Sequence, residues 1–179
     1  MNQELKQTLR AERALYIPHI RSLKNRIMAV YTHNEEYMIY RFICDLRKAE
    51  FYQSRNKLLF VYYLRRSNKQ GYRLGYFIAP GVLGKGVLLY HRGDIIINSV
   101  STIGDGCLFH GDNCIGNNGV DNRCPVLGKN VELGIGAKVI GGITLADGIR
   151  VGANAVVTKS FTEPGITIAG VPARKVSRD

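Results

Sequence analysis

Two histidines, His91 and His110, stand nineteen residues apart in a stretch that is otherwise aliphatic, rich in glycine and polar at its turns. Imidazole titrates nearer neutrality than any other side chain, so a histidine held at an exposed corner can take a proton from a hydroxyl and hand it on. Each follows an apolar residue, Leu89 or Phe109, by one or two places. The competing reading is a corner histidine bonded only to backbone. His19 and His33 lie beside turns far from this stretch and read as surface or capping residues. The four cysteines, Cys44, Cys107, Cys114 and Cys124, form neither a CxxC pair nor a His/Cys cluster at zinc spacing. Free thiols in a reducing compartment, and no metal, are the expectation.

The elements that must position these histidines follow from a rhythm. Ile97, Ile103, Phe109, Ile115, Leu127, Leu133, Val139, Leu145, Val151 and Val157 recur every sixth position, and only position 121 breaks the series. A period of six fits neither a helix nor a flat strand. It fits a coil with three flat sides of six residues each, the hexapeptide signature of a β-helix, whose rungs bury one continuous core. Glycines at 104, 116, 128, 134 and 152 directly follow the inward residue, where the chain turns a corner. The rhythm slips by two between Leu89 and Ile97, at His91-Arg92-Gly93-Asp94, and is interrupted by a polar loop at 117–125. Nineteen residues is close to one rung of eighteen, so His91 and His110 are expected one coil apart on nearby corners.

Residues 1–74 have a different character. Apolar residues at spacings of three and four (Ile20, Leu23, Ile27 and Val30, then Ile39, Phe42, Ile43, Leu46 and Ala49) predict amphipathic helices. A short helix ending near Ile17 precedes them, and another runs from Leu58 to Arg66 and ends in Ser67-Asn68-Lys69-Gln70-Gly71. The helical face is read as a small cap. Of the 25 Lys/Arg, 15 lie in residues 1–75, against 6 of the 14 Asp/Glu, so most of the net charge of +11 sits here. A solvated basic face is the preferred reading, with an anionic partner as its rival. No apolar run is long enough to span a membrane, and the first residues show no hydrophobic signal segment, so a cytoplasmic protein is expected. The reading is thus a mainly β chain, a left-handed parallel β-helix over 75–165 behind an α-helical segment 1–74, with a tail at 166–179.

The repeat, the Leu-Tyr-His-Arg-Gly stretch at 89–93 followed by Ile95-Ile96-Ile97-Asn98, the loop ending Arg123-Cys124-Pro125 and the tail Ala169-Gly-Val-Pro-Ala-Arg-Lys175 together resemble the hexapeptide-repeat acyltransferases of the serine acetyltransferase type. The resemblance implies a homotrimer whose active sites are each shared by two subunits, with acetyl-CoA in the groove between neighbouring coils. It implies His91 as the general base; His110, one coil beyond, stands where the family carries a glutamine and is a candidate to orient His91, bind the acceptor or line the acetyl pocket. Tyr90, Arg92, Asp94, Asn98 and Arg123 would then face the acceptor. The corners Gly136-Ala137 and Gly152-Ala153 would offer backbone N–H groups to the pantetheine or thioester. Ala169 would lie along the CoA arm, and Lys138, Lys159, Arg174 and Lys175 would meet its phosphates.

The chain departs from that family in its shorter N-terminal helical segment and at three places in the coil and its approach. Tyr90 stands where serine acetyltransferases carry an aspartate for the serine ammonium. Arg123-Cys124-Pro125 replaces their Arg-His-Pro. Gly75 and Tyr76 fall where they carry the carboxylate that orients the base. These departures favour a neutral acceptor, a sugar of a cell-surface polysaccharide or its precursor, with Tyr90 packing on the sugar face. Serine O-acetylation for cysteine biosynthesis is the alternative, and a non-catalytic β-helix binding an anionic partner is the third reading.

Overall fold

The computed structural model describes residues 2–176, so residues 177–179 of the predicted tail lie outside the described residues. The chain divides into two compact units, one ending at Tyr76 and one beginning at Phe77.

The first unit holds four helices: α1 (Gln3–Tyr16), α2 (Leu23–Tyr31), α3 (Glu35–Tyr52) and α4 (Lys57–Leu74). Each starts on an Asn or Ser whose side chain accepts a backbone N–H of the first turn, as Asn34 does from Tyr37 at 2.9 Å. The apolar stripe Ile39, Phe42, Ile43, Leu46 and Ala49 of α3 is buried throughout. Two buried charges join it to its neighbours. Arg47 donates to Glu12 of α1 at 2.8 Å, and Asp45 accepts from Arg66 at 3.0 Å and Gln70 at 2.6 Å, both on α4. The helix predicted to stop at Arg66 therefore continues to Leu74. The turn-forming composition of 67–71 is overridden by packing: Ser67, Gln70 and Gly71 are buried, and a Cβ on Gly71 would lie 2.6 Å from the Tyr76 carbonyl oxygen and 3.2 Å from the Phe42 ring. Gly75, left-handed at φ 82°, ends the helix.

The second unit is a three-faced parallel coil. One face contains, in order, β1 (Tyr76–Ile78), β3 (Ile95–Ile97), β6 (Asn113–Gly116), β9 (Lys138–Ile140) and β12 (Val156–Val157). A second has β4 (Thr102–Ile103), β7 (Val126–Leu127) and β10 (Thr144–Leu145). The third runs β2 (Leu88–Leu89), β5 (Leu108–Phe109), β8 (Glu132–Leu133), β11 (Arg150–Val151), β13 (Thr167–Ala169) and β14 (Arg174–Lys175), with only the last pairing antiparallel. Every residue of the six-residue series from Ile97 to Val157 is at most 3% exposed. A second inward set, two residues earlier in each side, completes the core with Ile95, Cys107, Asn113, Val131, Ala137, Ile149 and Ala155. Burial pushes the Cys107 thiol up to about 11, which fits an inert core thiol.

The register measures the two interruptions. Leu88 pairs with Leu108, Leu108 with Glu132 and Glu132 with Arg150, so successive rungs take 20, 24 and 18 residues. The slip at His91–Asp94 adds two residues and the loop at 117–125 adds six, one whole side, which is why the inward series resumes in phase at Leu127.

Candidate active site

The extra two residues of the first rung decide which side chains meet. With Leu89 opposite Phe109, the residue facing His110 is Tyr90, and Tyr90 N–H donates to the Phe109 carbonyl at 2.9 Å. The sequence spacing placed His91 there; the 20-residue rung shifts it one position past. The Tyr90 and His110 rings stack with centroids 4.7 Å apart and planes at 11°, whereas Tyr90 and His91 are 6.4 Å apart and tilted at 39°. His91, Arg92 and Asp94 are exposed on the slipped corner. This corner rests on the next one: a Cβ on Gly111 would lie 3.9 Å from the His91 Cβ, and Asp94 N–H donates to Asp112 Oδ1 at 3.2 Å.

His110 has a partner that the sequence spacing did not show. Its Nε2 lies 2.9 Å from Glu132 Oε1, both side chains about one-third exposed. Glu132 sits two places before Gly134 on β8, directly below Leu108 in register. Counting the loop as one inserted side brings Gly134 under His110, with Glu132 two places before it.

Tyr90, His110, Gly134, Gly152 and Ala169 occupy one corner column, each of the first four donating its N–H to a carbonyl on the rung below at 2.8–3.1 Å. Under the stacked rings the column carries no side chain for two rungs, then a methyl, where a Cβ on Gly152 would lie 2.9 Å from the Ala169 Cβ. The result is a narrow backbone-lined strip leading away from the histidines.

The remaining predicted residues divide. Of the corner N–H groups, Gly136 donates to Gly111 at 3.0 Å, Ala137 to Gly134 at 3.1 Å and Gly152 to Ile168 at 2.8 Å, so all three are committed to the coil. Ala153 N–H alone of these four makes no bond among the described residues. Asn98 is occupied in a turn, its Oδ1 accepting from Val100 N–H at 3.0 Å. Arg123 forms a two-point ion pair with Asp121 at 2.7 and 3.0 Å inside the loop, which holds the Asp121 carboxyl below the usual carboxylate range. Lys138 donates to the Asp112 carbonyl at 3.1 Å, Lys175 pairs with Glu163 at 2.7 Å, and Lys159 lies 5.4 Å over the Phe161 ring. Arg174 is exposed on β14 with no such partner among the described residues. The tail folds back on the coil: Val156 N–H donates to the Gly170 carbonyl and Ala173 N–H to the Val156 carbonyl, at 3.0 and 2.8 Å. Among the described residues no group of three or more His, Cys, Asp or Glu could hold a metal ion, and no helix is long and apolar enough to cross a membrane.

The coil is the left-handed β-helix of the hexapeptide-repeat acyltransferases. Serine acetyltransferase from Brucella abortus superposes on 98% of this chain with a TM-score of 0.71 at 22% identity, covering 70% of that chain, and its complex with coenzyme A gives 0.72 at 24%. These likenesses establish the fold. No family model matches the chain. Serine acetyltransferase of Helicobacter pylori J99 is 30% identical over 161 residues, which is 87% of this chain and 88% of that protein. The chain belongs to the serine acetyltransferase family. It spans less than half of some longer relatives: the Synechococcus elongatus serine acetyltransferase is 35% identical over 107 residues, 58% of this chain but 43% of that protein. The expectation of a sugar acceptor in polysaccharide biosynthesis is overturned by these relatives, which favour serine. Tyr90, which carries no charge for an ammonium, sits within a family named for an amino-acid acceptor.

Proposed function

We propose that this chain transfers the acetyl group of acetyl-CoA to the hydroxyl of L-serine. The observation that carries the reading is the relationship to the Helicobacter pylori serine acetyltransferase over nearly the whole of both chains. His91, exposed at the slipped corner, takes the proton of the serine hydroxyl as that oxygen attacks the thioester carbonyl. Collapse of the tetrahedral adduct expels the CoA sulfur, which takes the same proton from the imidazole, leaving O-acetylserine and CoA. The side-chain-free strip past Gly134 and Gly152 accommodates the pantetheine arm, and Ala153 N–H is the donor available to the thioester oxygen. Arg174 and the exposed lysines Lys138, Lys159 and Lys175 supply positive charge toward the CoA phosphates. The working form is a homotrimer in the cytoplasm, each site completed by a neighbouring subunit.

The test of the residue assignment is His91→Ala, assayed by CoA thiol release with acetyl-CoA and L-serine. Loss of a general base lowers kcat by about 10²–10⁴-fold. An undiminished rate removes His91 from the reaction.

A further inference from the structure

Serine differs from a neutral alcohol by its ammonium group, and Tyr90, next to His91, carries no charge to meet it. The stacked corner offers a replacement. A carboxylate only accepts hydrogen bonds, so the 2.9 Å contact requires the hydrogen on His110 Nε2, and the neutral ring then presents Nδ1 as an acceptor. Glu132 makes no second hydrogen bond among the described residues, so its Oε2 is uncommitted, and its in-register neighbour Arg150 forms no ion pair with it. The Tyr90 ring, 4.7 Å away and nearly parallel to His110, adds the negative face of an aromatic, which attracts ammonium. Asp112 is already engaged, its Oδ1 accepting the Asp94 N–H. These groups adjoin His91 in sequence and on the corner below it.

We propose that Glu132, His110 and Tyr90 form the subsite for the acceptor's ammonium group, with the Glu132 carboxylate as its charge and His110 Nδ1 as its hydrogen-bond acceptor. The inference rests on the serine reading above. It makes Glu132 a determinant of specificity, selecting an amino alcohol over an alcohol of the same shape without the amine.

The experiment compares L-serine with 3-hydroxypropanoate, which keeps the hydroxyl and carboxylate and lacks the amine, in the wild type and in Glu132→Gln. In the wild type serine is preferred. In Glu132→Gln the KM for serine rises about 10- to 100-fold, the scale of a lost charged hydrogen bond at about 1.5–3 kcal/mol. The KM for acetyl-CoA stays within twofold, and the ratio of kcat/KM for serine to that for 3-hydroxypropanoate falls. His110→Phe, which keeps a stacking ring and removes both nitrogens, gives the same shift and serves if Glu132→Gln fails to fold. If the wild type does not turn over serine at all, the serine reading itself fails. If it does and both variants keep the wild-type KM for serine, the subsite is wrong while the serine reading stands. A serine-specific KM shift in Asp94→Asn but not in Glu132→Gln places the amine at Asp94 and overturns the proposal.

Discussion

Replacing Gly84 by alanine tests the packing of the coil at a corner that rests on backbone. An added Cβ would lie 2.6 Å from Asp105 N, 2.6 Å from the Gly104 carbonyl carbon and 2.7 Å from its oxygen, all backbone atoms of the next rung. Each contact is 0.7–0.8 Å short of ordinary van der Waals distance at 3.4 Å, and no side-chain rotation relieves it. The two rungs are also tied by Gly84 N–H to the Ile103 carbonyl at 2.8 Å, so separating them loosens a coil bond. Overpacking of this kind costs about 1–3 kcal/mol, and immovable backbone argues for the upper half. At about 2–4 °C per kcal/mol for a chain of this size, Gly84→Ala lowers Tm by roughly 4–12 °C. The control is Gly116→Ala, where the nearest atom is the Asn98 Cβ at 3.8 Å and the backbone is not left-handed. That change leaves Tm within about 2 °C or raises it, because alanine restricts the unfolded chain. Thermal unfolding followed by circular dichroism compares the two, and equal Tm values would refute the rung-on-rung account of the small corners.

Three further outcomes follow from the described interactions. Arg47→Met strands the Glu12 carboxyl, buried at 3% exposure with its Oε2 unbonded, and costs about 3–5 kcal/mol in denaturant unfolding; adding Glu12→Gln recovers most of that loss. Desolvation by burial, partly offset by Arg47, holds the Glu12 carboxyl above its ordinary 4.5, so the folded state binds this proton more tightly than the unfolded one. Its contribution to stability is present below pH 4.5 and falls as pH rises through the raised folded value, and Glu12→Gln removes that component from the pH dependence of unfolding. The buried Cys44 and Cys107 thiols, both pushed up to about 11 by desolvation, resist a thiol reagent at pH 8 in the folded protein, whereas the partly exposed Cys114 is labelled; rapid labelling of Cys107 contradicts its place in the core.

The fold was legible because a six-residue period has few structural solutions, and each residue of the inward series is buried as its phase requires. The helix pattern was legible in α3, whose apolar stripe is buried, but Leu23, Ile27 and Val30 of α2 are exposed, and the end of α4 was missed where Gly71 meets Phe42 and Tyr76, a close approach that composition reads as a turn. The pairings among the candidate site residues were not legible. The nineteen residues between His91 and His110 look like one rung, yet the slip makes that rung twenty and puts Tyr90 on His110. Glu132 escaped notice because it lies 22 residues from His110, a separation that becomes meaningful only once the loop is counted as a whole inserted side. The acceptor was misread because the departures at Tyr90, Cys124 and Gly75-Tyr76 were weighed as lost groups, whereas the relatives favour serine.

The central claim is that this chain acetylates serine from acetyl-CoA. Its most direct test is CoA thiol release by the purified protein with acetyl-CoA, with and without L-serine, with mass spectrometric identification of the product. Saturable, serine-dependent release with O-acetylserine in equal amount is expected; no release above the serine-free rate at millimolar serine contradicts serine acetylation by this chain.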